Sequence, residues 1–201
     1  MDKIITISRE YGAGGHSIGQ QVAKELGIPF YDRDILKATV QTSGFDPDMV
    51  EHDQEDVSST NFFFKSICSF ADASFSDTQD AIHDVQKAVI LHFAKEGPCV
   101  ILGRCGDYVL RERPNVLRTF VYAPVADRVG RAKVRPDAKE MPDRMWESQL
   151  AKHDRARASY YNYYTENRWG EAKNYDLCLN AALGLDTCAD LIVDAAKAMN
   201  K

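Results

Sequence analysis

A short β-branched run, Ile4-Ile5-Thr6-Ile7, passes into the glycine cluster Gly12-Ala13-Gly14-Gly15 and then into a segment with Ile18, Val22 and Leu26 on one helical face. Strand, tight turn and helix in immediate succession constrain the fold more than any other feature, because an apolar strand of this kind is stable only beside further strands and beneath covering helices. The rest of the chain supplies both. Gly27 closes the helix, Pro29 enforces an extended entry, and Phe30-Tyr31 form a second strand ending in Asp32-Arg33-Asp34. Cys99-Val100-Ile101-Leu102 reads as a third strand followed by a helix from near Arg104. Val116–Tyr122 reads as a fourth, with Pro124 as the first residue of the next helix. Leu177-Cys178-Leu179 is the fifth, and a closing helix places Leu185, Ala189, Ile192, Val193 and Ala196 toward the core. Strands that are apolar throughout, alternating with helices, predict an α/β fold with a buried parallel sheet. Ligand sites in such sheets lie at the carboxyl ends of the strands. There the sequence offers Ser8-Arg9, Asp32, Gly103-Arg104, Tyr122 and Asn180.

With 201 residues, 44% of them hydrophobic, the chain suits one domain spanning 1–201. Residues 43–96 form an insertion that needs helices of its own, with Ile82, Val85, Val89 and Phe93 at helical spacing. The run Phe62-Phe63-Phe64 inside it reads as a packing or dimer surface, so a homo-oligomer stays open. No apolar stretch approaches a membrane span, and the amino terminus has no signal-peptide pattern, so the expected location is cytoplasmic. Cys68, Cys99, Cys105, Cys178 and Cys188 contain no C-x-x-C pair and read as core thiols, with Cys105 the exception.

The formal charge of −5 argues against nucleic acid or an anionic membrane as partner. It averages two opposed segments: 43–96 carries 3 basic and 11 acidic residues, and 104–168 carries 14 basic and 9 acidic ones. Eleven of the thirteen arginines lie in the latter, a composition suited to a small polyanion.

Four groupings carry chemistry. In the first, Ser8-Arg9-Glu10-Tyr11-Gly12-Ala13-Gly14-Gly15-His16-Ser17, backbone amides of a glycine turn and a helix amino terminus can curl around a phosphate. The strict G-x-x-x-x-G-K-[ST] pattern is not met, since Glu10 holds the first glycine position and His16 the lysine position. A merely tight strand–helix turn is the competing reading, and Ser17 either meets a phosphate-bound Mg²⁺ or caps the helix. Second, Arg104, flanked by Gly103 and Gly106, either binds a phosphate bidentately or pairs with Asp107. Third, Arg128, Arg131 and Arg135 share one helical stripe and suit the charge of a transferring phosphoryl group, or else form a solvated face. Fourth, Asp154, Arg157 and Tyr161 fall on one helical face, able to meet a ribose or base, a phosphate and a stacked ring, or else the tyrosines of this segment are core or interface residues.

Together these residues resemble the cytidylate kinase-like branch of the P-loop nucleoside monophosphate kinases. ITISREYGAGGHSIGQQVAKELGIPFYD is similar to the opening strand, phosphate loop, helix and second strand of that family. CVILGRCGDYVL resembles its G-R-D segment, APVADRVGRAKVR the entry to its lid, Asp154-x-x-Arg157 its acceptor-holding D-x-x-R element, and NYDLCLNA its last strand. The resemblance implies a P-loop NTPase three-layer fold with a central parallel five-stranded sheet, a helical insertion and a lid and acceptor region over 124–170. It implies ATP and Mg²⁺ as cofactors, nucleoside mono- and triphosphates as partners, and CMP or dCMP as first acceptor. Gly12, Ala13, Gly14, Gly15, His16 and Ser17 would then hold the donor phosphates, with Ser17 on the metal. Arg128, Arg131 and His16 would be catalytic, and Asp32, Arg104, Asp154 and Arg157 would face the acceptor.

The chain departs from the family pattern at identifiable points. In the gap-free alignment the loop lysine falls on Gly15, the acid before G-R-D is Leu102, the aspartate of that triplet is Cys105, and an arginine four residues before Asp154 is Leu150. Two alternatives therefore stand beside a cytidylate kinase: a nucleotide-binding regulatory protein with little or no turnover, and a kinase of another small phosphorylated acceptor.

Overall fold

A computed structural model describes residues 3–32, 35, 74–135, 138 and 140–199. The first strand, β1 (Ile4–Arg9), is buried almost throughout and lies at the centre of the sheet. It pairs on one side with β3 (Cys99–Leu102) and on the other with β4 (Val116–Tyr122), in registers that set Ile4 against both Cys99 and Val116. Outside these lie β2 (Phe30–Tyr31) on β3 and β5 (Leu177–Asn180) on β4. The order is β2-β3-β1-β4-β5, and every pairing is parallel. The β-branched and apolar runs fit strands covered on both faces. Parallel pairing also brings Arg9, Asp32, Gly103-Arg104, Tyr122 and Asn180 to one edge, as the sequence implied.

Helices cover both faces. On one, α1 (Gly15–Leu26) and the closing helix pack Ile18, Val22, Ala189, Ile192, Val193 and Ala196 against Ile5, Ile7, Val100, Leu102, Leu117 and Val121. On the other, α2 (Ser74–Glu96) sets Val89, Ile90 and Ala94 against Ile4, Cys99, Ile101 and Val116. The helical period expected at the end of the insertion is therefore present, with Ile82 and Val89 buried and Val85 and Phe93 packed at the margin. The remainder of the insertion, residues 43–73 with Phe62-Phe63-Phe64 and Cys68, lies outside the described residues. Of the other thiols, Cys99, Cys105 and Cys188 are buried and Cys178 is exposed. Among the described residues, no helix is long and apolar enough to cross a membrane.

Beyond the sheet edge stand α4 (Val125–Lys133) and α5 (Trp146–Tyr164), joined through a small cluster of Ala132, Trp146 and Leu150. The short helix α3 (Gly106–Val109) follows β3. It starts two residues later than the sequence suggests, because Arg104 (φ 57) and Cys105 (φ 53) both take the left-handed conformation, which cannot begin a right-handed helix. Pro124 likewise caps α4 with an extended ψ of 144 instead of occupying its first turn. The last helix, α6 (Leu185–Ala198), completes the layer over α1.

Ile192 is fully buried at the junction of α6 with the sheet. Ile192→Ala removes buried methyl groups and leaves a cavity, so it is expected to destabilise the chain by about 2–5 kcal/mol. Urea unfolding followed by circular dichroism should show a lower midpoint with an unchanged slope.

Candidate functional site

The glycine turn is shaped by close approach. Gly12 (φ +75) and Gly14 (φ +91) lie in the left-handed region, and a Cβ on Gly12 would stand 2.6 Å from the backbone oxygen of Arg128. Only glycine meets both conditions. The Ala13 amide donates to the Glu10 carbonyl at 3.2 Å, and the Ile18 amide donates to the Gly14 carbonyl at 3.0 Å, where α1 begins. Gly14, the amino-terminal cap of α1, brings no side chain to the first-turn amides. The turn thus presents a helix amino terminus of the kind that binds anions. Ala13 and Gly15 are buried within it, whereas His16 and Ser17 are exposed.

Arginines of α4 and α5 lace this turn to the helices beyond the edge. The buried Arg128 guanidinium pairs through Nη1 with Glu10 Oε2 at 2.7 Å and through Nη2 with Asp154 Oδ2 at 2.8 Å. Asp154 Oδ1 accepts from the Tyr11 amide at 2.8 Å, and Glu10 Oε2 from the Ala123 amide at 3.2 Å. Arg131 Nε donates to the Gly12 carbonyl at 2.8 Å, and Arg157 Nη1 to the Arg9 carbonyl at 3.1 Å. The Tyr11 ring stacks on His153 at 4.0 Å between centroids, with the guanidiniums of Arg135 and Arg157 at 5.2 and 5.6 Å from it. The helical stripe Arg128, Arg131, Arg135 is therefore directed at the turn. Asp154 and Arg157 also meet its backbone, while Tyr161 on the same face donates its hydroxyl to Asp107 Oδ2 at 2.6 Å. Sequence reasoning missed Glu10 and Tyr11 as members of this network. The available signal was an acidic residue in a motif position that usually holds glycine.

At the strand ends, His16 Nδ1 lies 2.9 Å from Asp32 Oδ2. Burial pushes the Asp32 carboxyl upward, but the His16 hydrogen bond and then the charges of Arg9, His16 and Arg104 together hold it below its ordinary value. Arg9, from the end of β1, thus joins His16, Asp32 and Arg104, a role that sequence reasoning left unassigned. Arg104 is buried, and its left-handed backbone is the kind of strain that persists where surrounding structure fixes it, often at functional sites. Asp107 instead faces Tyr161. Burial raises its carboxyl, outweighing the hydrogen bond from Tyr161 and the charge of Arg118, and its Oδ1, like the nearby Thr6 Oγ1, is buried without a hydrogen-bond partner. Burial and Asp107 in turn push the Tyr161 hydroxyl upward.

Two outcomes follow from this geometry. Asp154→Ala leaves a buried guanidinium with Glu10 as its remaining partner, and is expected to cost about 3 kcal/mol, at the low end for a broken buried pair. Chemical denaturation measures it. For Asp107, a raised folded pKa means that its stabilising contribution is complete below the ordinary 3.8 and is lost as pH rises through the raised value. Asp107→Asn stays neutral, so its stability relative to wild type should increase as pH rises above the ordinary carboxylate value of 3.8. Parallel pH profiles of melting temperature for the two proteins would sink this assignment.

Comparison with known proteins sets this geometry in context. No curated protein sequence matches the chain. Among solved structures it is similar to an uncharacterized protein from Eubacterium ventriosum ATCC 27560, with a TM-score of 0.70, 24% identity, and 97% of this chain and 98% of that one covered. It is similar at lower identity to a shikimate kinase from Bacteroides thetaiotaomicron, with a TM-score of 0.59, 11% identity and coverages of 98% and 99%. A gluconokinase from Sinorhizobium meliloti 1021 gives a TM-score of 0.54, 16% identity and coverages of 98% and 93%. These likenesses establish the fold, that of the P-loop kinases. The sequence profile of the cytidylate kinase-like family matches residues 4–182, and the chain therefore belongs to the cytidylate kinase-like family.

Proposed function

We infer that the chain is an ATP-dependent phosphotransferase that moves the γ-phosphoryl group to a nucleoside monophosphate, with CMP or dCMP as first acceptor. The observation that carries this reading is the meeting of a glycine turn at a helix amino terminus with Arg9, His16, Asp32 and Arg104 at one sheet edge. A polyphosphate requires amide donors and positive charge side by side, and both are present there.

The residues fit a nucleotide. Gly12 and Gly14 keep the turn free of side chains where a Cβ would strike Arg128 or Leu185, so the backbone of 12–17 is the surface offered to the phosphates. Ser17 in the first turn of α1 is the hydroxyl that would hold Mg²⁺, and the ion would supply charge neutralisation to the phosphates. In this reading Arg104 holds the phosphate of the acceptor, and Arg131, which rests on the Gly12 carbonyl, meets charge on the moving group. Attack is in line on the γ-phosphorus, and rate comes from positioning and charge stabilisation without a covalent enzyme intermediate.

A second reading, a small anionic acceptor that is not a nucleotide, is favoured by one observation. Asp154 and Arg157, the element resembling the acceptor-holding D-x-x-R, are hydrogen-bonded to the backbone of the turn.

ADP formation from Mg-ATP should be followed with CMP, dCMP, UMP, AMP, GMP and small phosphorylated or carboxylated alcohols. Turnover with CMP or dCMP is expected, with kcat/KM lowered by about 10²–10³ in Arg104→Met. Turnover only with a non-nucleotide acceptor selects the second reading. Nucleotide binding with no ADP from any acceptor would leave a regulatory binding protein and overturn both.

A further inference from the structure

The phosphate loop lacks its lysine, and the packing at Gly15 shows what stands in that space. A Cβ on Gly15 would lie 2.8 Å from Cβ, 2.9 Å from Cγ and 3.6 Å from Cδ of Arg9. The first two distances are too short for neighbouring side chains, so the stem of Arg9 crosses the first turn of α1 where a side chain of residue 15 would begin. In the gap-free alignment this is the lysine position. Glycine at 15 and arginine at 9 are thus two halves of one packing arrangement. The far end of the same side chain acts on Asp32, the carboxylate that also holds His16. Its backbone is fixed as well, because the Arg9 carbonyl accepts from Arg157 Nη1 at 3.1 Å.

His16 is another basic group beside the turn, but its side chain is half exposed and carries charge only when protonated. A guanidinium keeps its charge at all physiological pH and offers a fork of donors matched to phosphate oxygens. We propose that Arg9 supplies the permanent cation to the β- and γ-phosphates of the bound nucleotide, its stem filling the space that glycine leaves at position 15. The Asp32 carboxylate offsets the guanidinium charge between nucleotides, and phosphate takes over that role on binding. The assignment rests on the reading of the turn as a nucleoside triphosphate site.

Calorimetry with MgATP, inorganic tripolyphosphate and AMP tests it on wild type, Arg9→Met, Arg9→Lys and the exchange Arg9→Gly/Gly15→Lys, with melting curves to confirm folding. Arg9→Met should weaken MgATP and tripolyphosphate about 10- to 100-fold, as expected for loss of a charged hydrogen-bonding group, and should leave AMP within about twofold. Arg9→Lys should fall between the two. The exchange, which places a lysine in the space the arginine stem has vacated, should regain most of the lost affinity. If a folded Arg9→Met keeps wild-type MgATP affinity, or loses AMP as much as tripolyphosphate, Arg9 is not the phosphate cation. A folded exchange variant that regains nothing overturns the shared-space assignment in the same way. Wild-type protein that binds neither MgATP nor tripolyphosphate would instead overturn the nucleotide reading, and this assignment with it.

Discussion

The geometry of the sheet edge depends on one buried guanidinium. Arg128 is withdrawn from water, and taking a charge out of water costs several kcal/mol unless partners replace the lost hydration. Glu10 and Asp154 are those partners, one from the glycine turn and one from α5. Because Asp154 also accepts from the Tyr11 amide and Glu10 from the Ala123 amide, the same carboxylates fix the backbone at the ends of β1 and β4. Turn, α4 and α5 are thereby bound into one unit whose parts cannot shift separately without exposing an unpaired buried charge. The two arginines of α4 differ in consequence. Arg128 can reach a phosphate only by leaving two carboxylates, whereas Arg131 need exchange only the neutral carbonyl of Gly12, a bond worth about 1 kcal/mol.

How much of this was legible in the sequence depends on the distance over which each interaction acts. The strands were readable because runs such as Ile4-Ile5-Thr6-Ile7 and Cys99-Val100-Ile101-Leu102 are local, and local patterning decides burial on both faces of a parallel sheet. The stripe of Arg128, Arg131 and Arg135 was readable for the same reason, since helical period alone places them together. Their targets were not, because a helical period says nothing of what the face meets. In sequence Glu10 is a departure from a phosphate-loop pattern, and its role is visible only once β4 delivers α4 beside the turn. The meeting of Arg9, His16, Asp32 and Arg104 has the same origin: these residues are dispersed in sequence and become neighbours through the order β2-β3-β1. The start of α3 was misjudged because a left-handed pair at Arg104 and Cys105 is set by its surroundings and not by propensity.

The charge asymmetry of the chain acquires a physical meaning from these pairings. The arginine-rich stretch is not a free positive field, since Arg118 is bidentate to Asp176, Arg128 is held by Glu10 and Asp154, and Lys133 meets Asp143. Exposed pairs among these contribute little to stability, but each cancels charge locally. Around Asp32, by contrast, Arg9, His16 and Arg104 all act on a single carboxylate. In the proposed phosphotransferase an incoming phosphate would find positive charge there and neutralised charge along much of the surrounding arginine-rich surface, which is how a chain of net charge −5 could attract an anion to one place. The acidic segment contributes on the other side of α5. Asp80 of α2 accepts from the Tyr164 hydroxyl at 3.0 Å, and His83 stacks on the Tyr164 ring at 3.8 Å while its Nδ1 lies 2.9 Å from the Tyr160 hydroxyl. Part of the acidic excess is thus a packing contact that steadies the back of α5, the helix whose front carries Asp154 and Arg157 to the turn. Both halves of the asymmetry then act on the same element, one through buried ion pairs at its front and the other through hydrogen-bonded rings behind it.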